Sequence, residues 1–420
     1  TQLRFHASDL EPEPDPTVIF SDEHRALARR AASASMVLLQ NAPVQGGPLL
    51  PLNPAELRHV ALIGRLGDLA NTGDHGSSDV RSPQVATALA GLRAALPDAL
   101  ITHVDDDGAT SAPLRAAQAA GQADVAVVVV GYTADDEGEF VGADTFARPE
   151  LMALAAPLPE GMTIPSLDPT RDEGSLMGLG MGGDRKSLRL RPLDVEIIRA
   201  TVAANPRTVV VLVTAGAVIT EEWRHQVPAL LLSWYAGSEG GHALADVLLG
   251  TAEPGGRLPF SVPTEEAHLP AFDSEATQVT YDRWHGQRLL DREGHQAAFP
   301  LGFGLSYTQM SIGDLRLSPV QQAAFTAHVT VRNRGARAGK HVVQLYGLTD
   351  VADFPRRVLV GFAVAHLQAG ASATLSIPGS TRPLQRRAEG AFFLATQEVT
   401  IEAATYSGDP AALSAPLQLT

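Results

Sequence analysis

The sequence predicts a chain in two parts: an α/β sandwich on a mostly parallel sheet, followed by an all-β sandwich. Three observations carry this. Short aliphatic runs such as Val125–Val130 and Val209–Val213 read as strands buried on both faces. Through about residue 250 such runs alternate with segments of helical period, the order that builds a parallel sheet covered by helices on both sides. After about residue 300 the period changes to two, as in Phe325-Thr-Ala-His-Val-Thr-Val331, which marks half-buried antiparallel strands.

The elements follow in order. Residues 1–20 are expected to be a linker, because Glu11-Pro-Glu-Pro-Asp-Pro16 cannot form a helix and favours an extended conformation. Ser21-Asp-Glu-His offers an N-cap and an acidic first turn to a helix running to about Leu39. Strands are expected at Val60–Gly64, Ile101–Val104, Val125–Val130, Val209–Val213 and Ala229–Ser233. Helices are expected at Val85–Leu96, Ala112–Gly121, Pro192–Asn205 and His242–Leu249, with a short turn at Glu221–Gln226. Residues 141–187 are rich in Gly and Pro and lack periodicity, and so predict a long loop; such loops are often functional. This assigns 21–264 to the α/β domain, 265–300 to a linker and 301–420 to the all-β domain. In the last, Lys340–Tyr346, Arg357–Phe362, Ala373–Ile377, Ala391–Ala395 and Val399–Ala403 predict further strands. Their spacing suggests a sandwich of the immunoglobulin or fibronectin kind.

Composition narrows the function. A length of 420 residues favours two domains. A net charge of -15 argues against nucleic acid and anionic membranes as partners, since little here would neutralise phosphates. It suits a neutral substrate such as a sugar. No cysteine is present, which excludes disulfides and thiolate metal sites. The 13 histidines show no close pair at metal-ligand spacing, so neither a metal nor a cofactor is expected. No apolar run approaches a membrane span. A first residue Thr1 and no signal segment lead to the expectation that the chain starts inside a longer gene product.

The densest chemistry follows the strand Val125–Val130. After Gly131 come four carboxylates within five positions, Asp135, Asp136, Glu137 and Glu139. In open α/β sheets ligands bind beyond the carboxyl ends of the strands. Carboxylates crowded there are expected to raise one pKa, and a carboxyl held protonated near neutral pH suits a general acid. The plainer alternative is a solvated acidic loop. Trp234 and Tyr235, at another strand end, are expected to pack in the core rather than stack on a sugar.

Several segments together resemble the C-terminal part of a glycoside hydrolase family 3, β-glucosidase-like enzyme. They include Met36-Val-Leu-Leu-Gln-Asn41, Gly73-Asp-His-Gly-Ser-Ser78, Gly182-Gly-Asp-Arg185, Trp234-Tyr-Ala-Gly-Ser-Glu-Gly-Gly241, Pro254-Gly-Gly-Arg-Leu-Pro-Phe260, Phe299-Pro-Leu-Gly-Phe-Gly-Leu-Ser-Tyr-Thr308 and Gly339-Lys-His-Val-Val-Gln-Leu-Tyr346. The resemblance covers nearly the whole chain and implies that the all-β part is fibronectin type III-like. It also implies a retaining exo-acting β-glycosidase acting on a β-linked glucoside or oligosaccharide. The family's (β/α)8 barrel, which carries the nucleophilic aspartate, has no counterpart here, so a barrel domain or a barrel-bearing chain is the expected partner. The family's Glu-Gly followed by an aromatic matches Glu137-Gly138 as the acid/base, with Glu139 before Phe140 as the competitor. Asp184 and Arg185, as an ion pair or polar network, are implied at the active-site rim, and Asp74 and His75 could face the same crevice; a purely structural role is the alternative for each. The rival reading is a non-catalytic carbohydrate-binding or assembly module.

Overall fold

The computed structural model describes residues 16–73, 80, 82–138, 185, 187–273, 276–388 and 390–419. Six strands form the first sheet: β1 (Val37–Asn41), β2 (His59–Ile63), β3 (Leu100–Val104), β4 (Val125–Gly131), β5 (Thr208–Val213) and β6 (Ala229–Leu232). Their order is β1-β6-β5-β4-β2-β3. All neighbours run parallel except β1, which pairs antiparallel with β6.

The pleat splits the central strand between two cores. Val125, Val127 and Val129 join one hydrophobic cluster, while Ala126, Val128 and Val130 join the other. Helices α1 (Asp22–Ser35), α2 (Ala88–Ala95) and α6 (Gly240–Leu248) cover the first face through Ala32, Leu89, Leu92, Leu244 and Val247. Helices α3 (Ala112–Gly121) and α5 (Pro192–Ala204) cover the second through Ala116, Ala120, Ile197 and Ile198. Each fully buried valine contributes roughly 1.5–3 kcal/mol relative to exposure, which is why the run is intolerant of polar residues.

One expected element is corrected. The first helix stops at Ser35 rather than near Leu39. Ser21 caps its start, accepting a hydrogen bond from the His24 amide. Met36 to Leu39 are all buried, and so continuous an apolar run fits a strand covered on both faces better than one stripe of a helix. The run becomes β1, with Leu38 opposite Leu231.

The second domain holds a three-stranded sheet of β7 (Met310–Leu317), β8 (Ala324–Asn333) and β11 (Ser372–Ser380), and a four-stranded sheet of β10 (Arg357–Leu367), β9 (Gly339–Leu348), β14 (Glu398–Ala404) and β15 (Leu413–Gln418). A hairpin, β12 (Gln385–Ala388) and β13 (Ala391–Leu394), lies beside them. Phe325, Val329, Leu345, Val360, Ile401 and Leu417 fill the space between. Neither β7 nor β15 is among the expected strands.

The stretch joining the two domains is packed. It contains α7 (Gln287–Glu293), and its Phe299 sits in the second α/β core. Gln344 of the sandwich donates to the Gly302 carbonyl at 3.0 Å, and the Lys340 amide donates to Glu253 at 2.6 Å. Among the described residues no helix is long and apolar enough to cross a membrane. Pro16–Val18, within the expected linker 1–20, forms a short 3-10 helix rather than extended chain; residues 1–15 of that linker and most of the long loop expected at 141–187 lie outside the described residues.

Candidate functional site

The carboxyl edge of the parallel sheet is built by two glycines. Gly131 ends β4 with φ +138°, and a Cβ there would lie 2.0 Å from the Val213 carbonyl oxygen. Gly64, just after β2, has φ +102° and would meet the Val129 carbonyl at 2.4 Å. Only glycine tolerates both the dihedral and the close approach. The chain can therefore turn sharply off each strand and keep the next residues at the edge.

Beyond Gly131 the acidic stretch is a single capped helical turn, α4 (Ala134–Glu137). The Thr133 hydroxyl accepts from the Asp135 amide, and the Asp136 carboxylate accepts from the Thr133 amide at 2.8 Å, which together close a capping box. This turn fans the carboxylates apart. Asp135 faces solvent. Asp136 turns toward β2, where the Arg65 guanidinium donates to it at 2.7 Å and to the Gly131 carbonyl at 3.2 Å. Arg65 thus ties the ends of β2 and β4.

Glu137 turns the other way, toward β5 and β6. Its Oε2 pairs with Arg185 Nε at 2.8 Å, and the two side chains are only 9% and 11% exposed. Its Oε1 accepts from the Tyr235 hydroxyl at 2.5 Å and from the Ala215 amide at 3.2 Å. Arg185 also donates to the Ala217 carbonyl at 3.1 Å and lies 4.2 Å above the Tyr132 ring. The Tyr132 hydroxyl donates in turn to the Arg189 carbonyl at 2.7 Å.

The expected rise of a pKa by mutual crowding gives way to pairing at Asp136. Burial pushes its carboxyl up, but the Arg65 hydrogen bond and charge outweigh that and hold it below the ordinary range. The two tyrosines move upward. Burial, then the hydrogen bond and charge of Glu137, push the Tyr235 phenol well above its usual value. Burial does the same for Tyr132 against the opposing charge of Arg185. Both remain neutral donors near neutral pH.

Of the expected site residues, Glu137 and Arg185 meet in one cluster. Glu139, Asp74, His75 and Asp184 lie outside the described residues. Arg65 and Tyr235 were not singled out as site residues, though each directly follows a strand and its turn. Trp234 does pack, edge-on to Phe260 at 5.8 Å, with its indole N–H donating to the Ser35 carbonyl at 2.9 Å. Its φ of 60° is rare for a bulky residue and marks local strain. Tyr235, expected in the core, instead reaches Glu137. A half-open hollow of about 60 Å³ lies beside Trp234, bordered by Leu66, Asn71, Thr87 and Ser233. Among the described residues no group of three His, Cys, Asp or Glu could hold a metal ion.

Comparison with known proteins adds to this geometry. The family model described as the glycosyl hydrolase family 3 C-terminal domain matches residues 36–307. A β-glucosidase of Bacteroides ovatus is 30% identical over 340 residues, 78% of this chain and 42% of that protein. A protein named probable β-glucosidase I from Aspergillus clavatus is 38% identical over 210 residues, 47% of this chain and 25% of that protein. Among solved structures, a family 3 β-glucosidase of Bifidobacterium adolescentis superposes with a TM-score of 0.76 at 24% identity, covering 95% of this chain and 53% of the other. A β-glucosidase of Streptomyces venezuelae in complex with D-glucose gives 0.76 at 21% identity, covering 97% and 61%. At these identities the superpositions speak for the fold. The chain spans less than half the length of the two sequence relatives.

Proposed function

The chain belongs to glycosyl hydrolase family 3 through its C-terminal domain, and from that premise we propose that it is the acid/base-bearing part of a retaining exo-acting β-glycosidase. The substrate class is a terminal β-linked glucoside, as the names of the relatives suggest. The observation that carries the reading is the run of carboxylates at the carboxyl edge of the sheet of a family 3 domain, where such folds place their ligands.

A retaining glycosidase needs two carboxyl groups about 5 Å apart, one nucleophile and one acid/base. The nucleophile is expected from a barrel, on the same polypeptide or on a partner chain. The acid/base comes from the Glu137–Glu139 stretch: it protonates the glycosidic oxygen, then removes a proton from water as the glycosyl-enzyme is hydrolysed. Asp184 and Arg185, with Asp74 and His75, are proposed to form the polar rim.

The test has two stages. The 420-residue chain by itself should release no 4-nitrophenol from an aryl β-glucoside above the buffer rate, and the barrel-complete enzyme should. Turnover by the chain alone removes the need for a barrel. In the complete enzyme, replacing the acid/base by Ala should slow substrates with poor leaving groups by about 10²–10⁴-fold. Dinitrophenyl glucosides should suffer less, and azide should restore turnover as a β-glycosyl azide. If neither Glu137→Ala nor Glu139→Ala behaves this way, the acid/base lies elsewhere and the acidic stretch has no part in proton transfer.

A further inference from the structure

Of the 32 basic side chains in this chain, two are lysines, Lys186 and Lys340. The chain otherwise relies on arginine, and the ion pairs at Glu239, Asp246, Asp136 and Asp194 all use it. Lys340 stands at the start of β9, where the sandwich meets the α/β domain. Its amide donates to Glu253 Oε2 at 2.6 Å, but its ammonium has no hydrogen-bond or ion-pair partner among the described residues.

The ammonium lies against Gly255, where a Cβ would come within 2.6 Å of Nζ. The backbone at Gly255 has no positive φ that would require glycine, so what the missing side chain provides is room for this ammonium. Opposite Lys340 in the β9–β10 register stands His366, and directly opposed side chains share one face of a sheet. With Gln368, Glu253, Gly255 and Ala34 they line an open groove of about 380 Å³ between the domains.

The groove is short of negative charge. Among the described residues Glu253 is the one carboxylate lining it, and both its oxygens already accept, Oε1 from the Ser306 hydroxyl and Oε2 from the Lys340 amide. Two arginines stand near. Arg337 donates to the Gly250 carbonyl at 2.6 Å, and Arg257 donates to the Gly256 carbonyl at 2.7 Å while its Nε is buried without a partner. Burial, then the Arg257 charge, lower the Lys340 ammonium against the attraction of Glu253, as expected of cations that press on one another. The deficit stands out in a chain with 47 acidic residues against 32 basic ones.

We propose that this groove is a binding site for a small oxyanion, a phosphate ion or a phosphate monoester, held by the Lys340 ammonium with His366 and Gln368 as further donors. Lysine suits the task, because its ammonium is a compact charge on a flexible stem with three N–H donors. A tetrahedral anion offers acceptors to all three side chains at once, and its bonds to a cation are short and strong. The groove has a wall in each domain, so a ligand held there stabilises their junction. The site shares no residue with the one described above and stands whether or not the proposed function does.

The 420-residue chain tests this. With two lysines, amine acetylation is easily read, and peptide mapping separates Lys340 from Lys186. At ten times its titration midpoint, inorganic phosphate should slow acetylation of Lys340 about tenfold and raise Tm. Sodium chloride at equal ionic strength should slow it less than about twofold. Gly255→Ala places a methyl group where the ammonium lies, and should weaken phosphate about fivefold or more while the fold persists. Lys340→Met keeps the stem and should abolish the phosphate-dependent rise in Tm. Glucose 6-phosphate separates the two sources: tighter binding than inorganic phosphate assigns the site to a monoester, weaker binding to the free ion. No slowing up to about 100 mM phosphate, equal slowing by chloride, or an undiminished rise in Tm in Lys340→Met overturns the site. Protection by glucose with none by phosphate makes the groove a sugar subsite and overturns it as well.

Discussion

All seven residues of β4 are buried, whereas β8 of the sandwich alternates buried with exposed or half-buried positions along its length. The two regions treat charge differently as a consequence. The parallel sheet has no wet face, so its ionic groups gather at the strand ends, where Arg65 meets Asp136 and Arg185 meets Glu137. At the base of the sandwich two basic groups lack such ion-pair partners, the buried His341 and the half-buried Arg257, whose Nη1 donates to the Gly256 carbonyl at 2.7 Å. His341 is 5% exposed and its Nε2 has no hydrogen-bond partner, and neither has Arg257 Nε. Burial, then the Arg257 charge, push the imidazole down to about 4. Burial lowers the Arg257 guanidinium to about 10. Paired charges at an edge can hold a backbone in place. Unpaired ones in an interface make its stability depend on pH.

The sharpest way to break this contrast is at the glycine that shapes the edge. Gly131→Val combines an unfavourable φ with a clash against the Val213 backbone, and should cost more than about 4 kcal/mol. Tryptophan fluorescence in urea would report it cleanly, because Trp223, Trp234 and Trp284 all lie outside the sandwich. A loss under 1 kcal/mol would mean that β4 and β5 separate easily.

The pH response comes next. The folded imidazole of His341 titrates near 4 and the unfolded one near 6.5, so its contribution is complete above 6.5 and is lost as pH falls toward 4. The loss should be on the order of 3 kcal/mol, and should disappear in His341→Gln. Urea unfolding at pH 7 and pH 4.5, followed by exchange at 325–331, measures it. An equal loss in wild type and variant would place the pH sensitivity elsewhere.

Arg65→Ala should cost about 1.5–3 kcal/mol by leaving the half-buried Asp136 without its cation. Adding Asp136→Asn should recover part of this, and full additivity in the double variant would show that the pair is not coupled. The smallest effect belongs to the solvent face of the sandwich. Phe362 is 59% exposed, so Phe362→Ser should stay within about 0.5 kcal/mol. A larger loss would show that this face of β10 is covered.

Local pattern was enough for the strands with no ambiguity of period. Val125–Val130 reads as a buried strand from its shortness and β-branched residues, and Phe325–Val331 as a half-buried one from its strict alternation. Pattern failed at Met36–Leu39, where an apolar run directly follows a helix and only the pairing with β6 shows it to be a strand. It also failed at β7 and β15, strands at the margins of their sheets whose partial burial weakens the alternation. The acidic stretch was legible as a cluster, and Arg185 as part of the same rim. What each carboxylate touches was not legible, since Tyr235 lies 98 positions from Glu137 and Arg65 lies 71 from Asp136. Composition and period are properties of neighbours along the chain and fix which segments become strands and helices. The partners of a charged side chain depend on which strand ends the sheet order brings side by side, and that is decided only when the two hydrophobic faces are buried.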